Sequence, residues 1–493
     1  MNTMHSPHAP GTEGPVRDFS CDVLVIGHGC AGVAAALEAD HDGAEVIVLE
    51  AASGGGGSAA LSGGELYLGG GTALQRAAGF VDSPEAMATF LTLALGPGAD
   101  EERIEEYSRG SAEHFDWLVA HGVPFRPGVY DDVAWVPPTE DGLMWMGERS
   151  YPYADHALPA PRGHRVASDG FGGKILMQQL SEAVAAQEIA VHTDTRAREL
   201  IREEGRVVGV RATRFGERRE YRARRGVVLA SGGFADNTAL LQQHAPRLTG
   251  WGVNSDGGDD GSGILMGQQV GAAVRNMAAG QVGIALIPQL MVRGMIVDSL
   301  GRRFLNEDVY PGLVGIAALT KHDLRVWVIL DEQAFEEVSE PERWGTQPKF
   351  VAETVQELER ELGMPEGALQ GTITEYNRWA DLGQDPYFQK APRWLRPLRP
   401  PFAAIDVSDG LAPPEYGNNR AGTAAEVFTL GGLRATPHGA VLDLMGMPIP
   451  GLYAAGRVAS SMHGGGYISG TSLGDGTFFG RRAGRAAANN PGV

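Results

Sequence analysis

Three glycines and one acid carry the first recognisable chemistry. In Gly27-His-Gly-Cys-Ala-Gly32 the spacing suits a turn around a pyrophosphate. Gly27 permits the tight turn, Gly29 lets the phosphates approach the backbone, and Gly32 lets the following helix pack on its strand. The motif residues Gly27, Gly29, Ala31 and Gly32 are therefore candidate cofactor contacts, with the helix N-terminus as the anion site. Eighteen residues after Gly32 stands Glu50, placed to accept hydrogen bonds from a ribose. Such a glycine pattern alone is weak and could be a structural turn. Its weight depends on the elements around it.

Those elements are present in order. Asp22-Val-Leu-Val-Ile26 reads as a buried parallel strand, an alanine-rich helix runs to about Asp40, and Glu45-Val-Ile-Val-Leu49 reads as the second strand, ending at Glu50. Strand, glycines, helix, strand and acid predict a dinucleotide site but do not separate NAD from FAD. The chain of 493 residues exceeds one compact core, so a cleft between domains is expected. Its 70 glycines fall in short clusters between apolar runs and mark turns and close backbone approaches. A formal net charge of −20 disfavours nucleic acid and anionic membrane surfaces as partners. Two cysteines, Cys21 and Cys30, offer neither a disulfide framework nor haem or zinc spacing, and fit a reducing, cytoplasmic compartment. Residues 1–17 read as a disordered tail without a signal-peptide core, so export is not expected. No apolar run of about 18 residues predicts membrane insertion.

Further segments resemble the fumarate reductase and 3-ketosteroid dehydrogenase flavoprotein superfamily. They are Gly54-Gly-Gly-Gly-Ser58 with Ser62-Gly-Gly64, Gly226-Val-Val-Leu-Ala-Ser-Gly-Gly-Phe234, Gly257-Gly-Asp-Asp-Gly261, Gly451-Leu-Tyr-Ala-Ala-Gly-Arg457 and Ser472-Leu473. The resemblance implies an α/β fold: a Rossmann-like FAD-binding domain (18–276 and 428–493) interrupted by an α+β cap domain (277–427). It also implies FAD as cofactor, with Gly57, Ser58, Ser62, Gly63, Gly64, Ser231, Gly232, Asp260, Gly456, Arg457, Ser472 and Leu473 around it. The final helix would point its N-terminus at the flavin, where its dipole favours negative charge. Arg481, Arg482 and Arg485 would suit the other end of that dipole or form a solvated face. Ser58–Ser62 holds no histidine for a covalent flavin bond, so non-covalent FAD is expected.

Within this resemblance the chain departs from the fumarate reductase pattern in one direction. The arginine that delivers a proton in fumarate reductases is missing from Asn306-Glu-Asp-Val-Tyr310-Pro311, and Tyr310 lies beside its place. The histidine and arginine that hold two carboxylates give way to Phe428, in Phe428-Thr-Leu-Gly-Gly432, and Tyr467, in Tyr467-Ile-Ser-Gly470. A dicarboxylate would lose its charge-assisted hydrogen bonds, whereas a neutral ketone needs one donor and an apolar wall. The arrangement Gly466-Tyr467-Ile-Ser469-Gly470 together with Tyr310 most resembles the 3-ketosteroid Δ4-(5α)-dehydrogenases; at the Gly466–Gly470 point Δ1-dehydrogenases instead carry a Tyr-Pro-Gly-type segment, which this chain lacks there. By that resemblance Tyr467 polarises the C3 carbonyl, Ser469 takes the C4 proton, and Tyr310 relays it.

Other readings stay open. Ser469 could cap the final helix, and both tyrosines could be ordinary core. The segment between Tyr130 and Tyr153, with Trp135, Met144, Trp145 and Met146, could be a lid over the ligand, a surface loop or an oligomer contact. A reductase of enones or unsaturated acids, a Δ1-dehydrogenase and an electron-transfer flavoprotein are the alternative functions. No haem motif is present, so an external electron acceptor is expected. His438 and His463 lack spaced partners, and no metal site is predicted. In the cap, Leu324–Leu330 reads as a strand, Thr354 with Glu357 as a capping box, and Pro365 as the start of a helix with Leu369, Ile373, Tyr376 and Ala380 on one face.

Overall fold

The computed structural model describes residues 17–322, 325–407 and 425–492. The expected tail therefore lies outside the described residues except for Arg17, which opens the first strand.

Alternation of β-branched residues and glycine turns builds a mainly parallel central sheet. Its first strand, Arg17–Ile26, pairs in parallel with Val46–Leu49 on one side and with Glu217–Leu229 on the other. Pro448–Ala454 continues the parallel order beyond Glu217–Leu229. The strand begins five residues earlier than the apolar run suggests, because the polar stretch Arg17–Cys21 pairs with Arg219–Ala223 and carries the sheet outward. Helix Cys30–His41 covers one face and packs along the final helix, Thr471–Ala488. Small residues make this approach possible: a Cβ on Gly480 would stand 2.4 Å from the Ala31 carbonyl oxygen, and one on Gly484 2.0 Å from that of Ala35.

The final helix corrects one sequence expectation. Arg481 and Arg482 are withdrawn from solvent and do not form a solvated face, while Arg485 stays exposed. Arg481 is buried and pairs with Glu38 and Glu113, Arg482 pairs with Glu106, and Arg485 pairs with Glu38. They clamp the final helix to two others, a role invisible in local sequence.

A separate four-stranded antiparallel sheet joins Met295–Asp298, Val326–Asp331, Phe402–Asp406 and Phe350–Ala352. Helices Val355–Glu361 and Ala368–Ala380 pack on it through Leu358, Leu369, Ile373 and Tyr376. The capping box of Thr354 and Glu357 forms as predicted. The next helix starts later than Pro365, at Ala368. The Glu359 carboxylate of the preceding helix accepts hydrogen bonds from the Gly367, Leu369 and Gln370 N–H groups and fixes the start there. The cap strand begins at Val326; Leu324 lies outside the described residues. Between the two sheets, Gly280–Ile284 pairs antiparallel with Ala425–Thr429, which also pairs with Gly252–Val253. This small sheet runs through position 427 and lines the cleft. Among the described residues no helix is long and apolar enough to cross a membrane.

Candidate active site

A cleft beside the central sheet, lined opposite it by the small sheet of Gly280–Ile284 and Ala425–Thr429 and by Tyr310, is a cavity of about 580 Å³. One half is built from backbone turns. Gly27 (φ +109°) sits where a Cβ would fall 2.5 Å from the Ala230 carbonyl oxygen, and a Cβ on Gly32 would fall 1.9 Å from that of Gly27. Beside Gly29, by contrast, a Cβ would find nothing within 4 Å. Space for a ligand thus opens at the N-terminus of helix Cys30–His41, while Gly27 and Gly32 close the turn behind it.

Of the residues singled out from sequence, Gly27, Gly29, Ala31, Glu50, Gly57, Ser58, Ser62, Gly63, Ser231, Gly232, Asp260, Gly456, Arg457, Ser472 and Leu473 line the cavity, as do Tyr310, Tyr467 and Ser469. Gly32 and Gly64 do not. Gly64 (φ +83°) packs against the Gly172–Gly173 backbone, 2.4 Å from where its Cβ would stand. Glu50 already accepts hydrogen bonds from the N–H groups of His28 (2.8 Å) and Ala52 (2.7 Å), so it shapes the turn as well as facing the cavity. Ser58 is held by Asp256, and Asp260 is paired with Arg196 at 2.6 Å.

Sequence reasoning missed Asp259. It is buried, accepts from the Gly233 N–H at 3.1 Å and grips Arg457 with both oxygens, one at 3.0 Å. Burial pushes its carboxyl up, and Arg457 opposes that shift. Arg196 and His28 were also missed. Arg196 arrives from a strand distant in sequence, and only pairing in space could reveal it. The His28 imidazole is buried and finds no hydrogen-bond partner among the described residues.

The other half is aromatic. Tyr310 precedes helix Pro311–Lys321, and its position is set by small neighbours: a Cβ on Gly312 would fall 2.4 Å from its ring, and one on Gly147 2.8 Å from its backbone nitrogen. Trp135 meets the Tyr310 ring edge-on at 5.8 Å and donates to the Leu286 carbonyl at 2.6 Å. Of the Tyr130–Tyr153 segment, Trp135 alone borders the cavity, while Met144, Trp145 and Met146 are buried in the core. Tyr467 stacks on His463 (5.3 Å, 26°) and meets Phe428 edge-on (5.3 Å, 86°). His463 is a platform. Its two ring nitrogens are bonded to Ser461 and Thr471, and burial pushes its pKa down to about 3.

Tyr310, Tyr467, Ser469 and Ser472 all line this half of the cavity. Burial holds the Tyr310 phenol well above its ordinary range, with Tyr467 adding to the effect and Ser469 opposing it. Tyr467 is likewise raised by burial, with Ser472 opposing the shift. Both tyrosines are therefore neutral donors at neutral pH. Glu65, a buried carboxyl itself raised by burial, bears on both electrostatically and was also missed, although it directly follows the quoted Gly63-Gly64. Ser469 does not cap the final helix: Gly470 (φ +82°) is its N-cap and no side chain caps it. The first N–H groups of that helix, with Ser472 and Leu473, face the cavity.

These features fit FAD. The turn at Gly29 leaves room for a pyrophosphate at a helix N-terminus. The Ser231 and Ser472 hydroxyls are buried without a hydrogen-bond partner among the described residues, as expected where a polar ligand completes them. No group of metal-binding side chains occurs among the described residues.

Comparison with known proteins agrees with this geometry. The FAD binding domain family matches residues 22–473. The crystal structure of 3-ketosteroid-Δ4-(5α)-dehydrogenase from Rhodococcus jostii RHA1, in complex with 4-androstene-3,17-dione, is 46% identical, with a TM-score of 0.91 over 96% of this chain and 98% of that one. The 3-oxo-5-alpha-steroid 4-dehydrogenase of Comamonas testosteroni is 28% identical over 88% of this chain and 92% of its own length. The NADH:fumarate oxidoreductase of Klebsiella pneumoniae (strain 342) is 27% identical over 95% of this chain, which spans about half, 48%, of that relative's length. The chain belongs to the FAD binding domain family, among the flavoprotein oxidoreductases that include the fumarate reductases and the 3-ketosteroid dehydrogenases.

Proposed function

We propose that the protein oxidises 3-keto-5α-steroids to their 4-ene-3-ones, using non-covalent FAD and an external electron acceptor. One observation carries the choice of a neutral substrate. The two arginines that line the cavity among the described residues, Arg196 and Arg457, are both committed to ion pairs, with Asp260 and Asp259. Neither is free to hold a carboxylate, and the wall around Tyr310 and Tyr467 is aromatic. A dianionic ligand would give up its hydration without charged partners in return. The Rhodococcus relative, solved with a 3-ketosteroid, supports the same choice.

The residues divide the work as follows. Tyr467 donates to the C3 oxygen and stabilises the negative charge that grows there as C4 is deprotonated. Ser469 takes the C4 proton. As it does so, its own hydroxyl proton passes to Tyr310, which gives up its phenolic proton toward solvent in the same relay, so a weakly basic serine does not have to hold the charge alone. The C4–C5 double bond forms as the proton leaves C4 and a hydride leaves C5. FAD, when bound, accepts that hydride at its N5 position. Gly27, Gly29, Ala31, Glu50, Ser231, Gly232 and Arg457 would hold the cofactor, while Trp135 and Phe428 exclude water around the ketone.

The test is an anaerobic stopped-flow comparison of three compounds with the oxidised holoenzyme. A 3-keto-5α-steroid should bleach the flavin, its 3-hydroxy analogue should bind without bleaching, and succinate should do neither. Rapid bleaching by succinate, or equal rates for ketone and alcohol, would overturn the steroid reading and leave the flavoprotein assignment intact.

A further inference from the structure

The small sheet that lines the cleft presents one face to the cavity. Phe428 and Glu426 lie on it two residues apart, with Gln281 and Gly283 directly across the antiparallel ladder. Gly283 leaves this face open: a Cβ there would touch only the Glu426 carbonyl oxygen, at 3.7 Å. The wall is otherwise aromatic and aliphatic, yet it contains two polar atoms with no hydrogen-bond partner among the described residues, Gln281 Oε1 and Glu426 Oε1. Buried polar atoms are rarely left so, and a pair aimed into a cavity marks where a ligand supplies the missing partner.

Position decides which part of the ligand that is. Phe428 packs against Tyr467 at 5.3 Å, at the ketone end. Glu426 lies about 7 Å farther along the strand, near the cap side of the cleft with Ile284 and Ala285. Glu426 lines the same cavity one same-face position beyond Phe428 on this strand, so a steroid held at C3 by Tyr467 can bring its opposite end toward Glu426.

Resting on the ketosteroid reading above, we propose that Glu426 determines specificity for the far end of the substrate. It hydrogen-bonds a ketone or hydroxyl oxygen carried on the ring opposite the C3 carbonyl. Burial pushes the Glu426 carboxyl up. A protonated carboxyl would donate to a ketone or a hydroxyl, and either form offers an oxygen that accepts from a hydroxyl. Substrates with a plain alkyl group or hydrogen at that end leave the carboxyl unpaired and are disfavoured.

Three FAD-loaded enzymes test this: wild type, Glu426→Gln and Glu426→Leu, each with 5α-androstane-3,17-dione, its 17β-hydroxy analogue and 5α-androstan-3-one, which lacks the C17 oxygen. The readout is the ratio of kcat/KM, oxygenated over unoxygenated. Glu426→Leu should lower that ratio about tenfold, the scale of one hydrogen bond, mainly through KM. Glu426→Gln keeps a donor and an acceptor and should retain the preference. Glu426→Ala replaces the leucine variant if the latter does not accumulate. An unchanged ratio in the apolar variant, or an equal fall for all three substrates, would overturn the proposal. If none of the three bleaches wild-type flavin, the ketosteroid reading itself fails and takes this inference with it.

Discussion

Replacing Tyr467 by phenylalanine removes one oxygen and leaves the ring. The ring is held between His463, stacked at 5.3 Å, and Phe428, edge-on at 5.3 Å, and phenylalanine preserves both contacts. What disappears is the cavity-lining hydroxyl proposed to reach the C3 oxygen. The substitution keeps both ring contacts, so the variant should fold and retain FAD. Loss of a donor to a developing oxyanion in a water-poor site should cost about 2.7–4 kcal/mol of transition-state stabilisation, or roughly 10²–10³ in turnover. Because this interaction strengthens as charge develops, the loss should appear in kcat more than in KM. The assay is single-turnover flavin reduction at saturating 3-ketosteroid, beside thermal unfolding and the flavin spectrum. A rate loss below about fivefold with an intact spectrum, or a loss confined to KM, would refute the oxyanion role.

The remaining predictions concern proton transfer, the cofactor and burial. Ser469→Ala and Tyr310→Phe should each slow flavin reduction while ligand binding persists, and the double variant should lose less than the product of the single effects if they form one relay; fully multiplicative losses would mean independent roles. Glu50→Leu should weaken FAD retention, because the His28 and Ala52 N–H groups lose their acceptor along with any ribose contact; unchanged flavin occupancy after gel filtration would count against it. Heat or acid should release FAD intact, and colour remaining with the denatured chain would contradict non-covalent binding. Glu148 is buried and its carboxyl is pushed up to about 7 by desolvation, against the opposing pull of Arg162. Its folded pKa lies above the unfolded value of 4.5. The stability tied to its protonated form is therefore present below pH 4.5 and lost as pH rises through about 7, on the order of 3 kcal/mol in all. The stability of Glu148→Gln relative to wild type should accordingly rise between pH 5 and 8, measured by denaturant unfolding; a pH-independent difference would contradict this.

What could be read from sequence follows from how local each device is. The turn at Gly27, Gly29 and Gly32 and the capping box at Thr354 and Glu357 are written in consecutive residues, and both formed in the expected places. The tyrosines and Ser469 were recognisable by resemblance, and the cavity gathers them. What escaped depends on contacts between distant segments. Arg481 looks like a solvated residue until Glu38, 443 positions away, is brought beside it. The Glu359 cap that delays the next helix start to Ala368 comes from the preceding helix. Asp259 stands in the quoted Gly257–Gly261 segment beside Asp260, and only its pairing with Arg457 in space shows its role; Arg196 carries no local pattern, and Glu426 becomes noticeable only when strand pairing places it beside Phe428 in the cleft. Gly64, read as a cofactor contact, instead makes room for the Gly172–Gly173 backbone.

The most direct test of the central claim is a single anaerobic turnover with a 3-keto-5α-steroid carrying deuterium at C5. The account predicts flavin bleaching slowed by a primary isotope effect, formation of the 4-ene-3-one, and loss of the label from the product, because the C5 hydrogen leaves as hydride. Absence of bleaching, or a dehydrogenated product that retains the C5 deuterium, would contradict it.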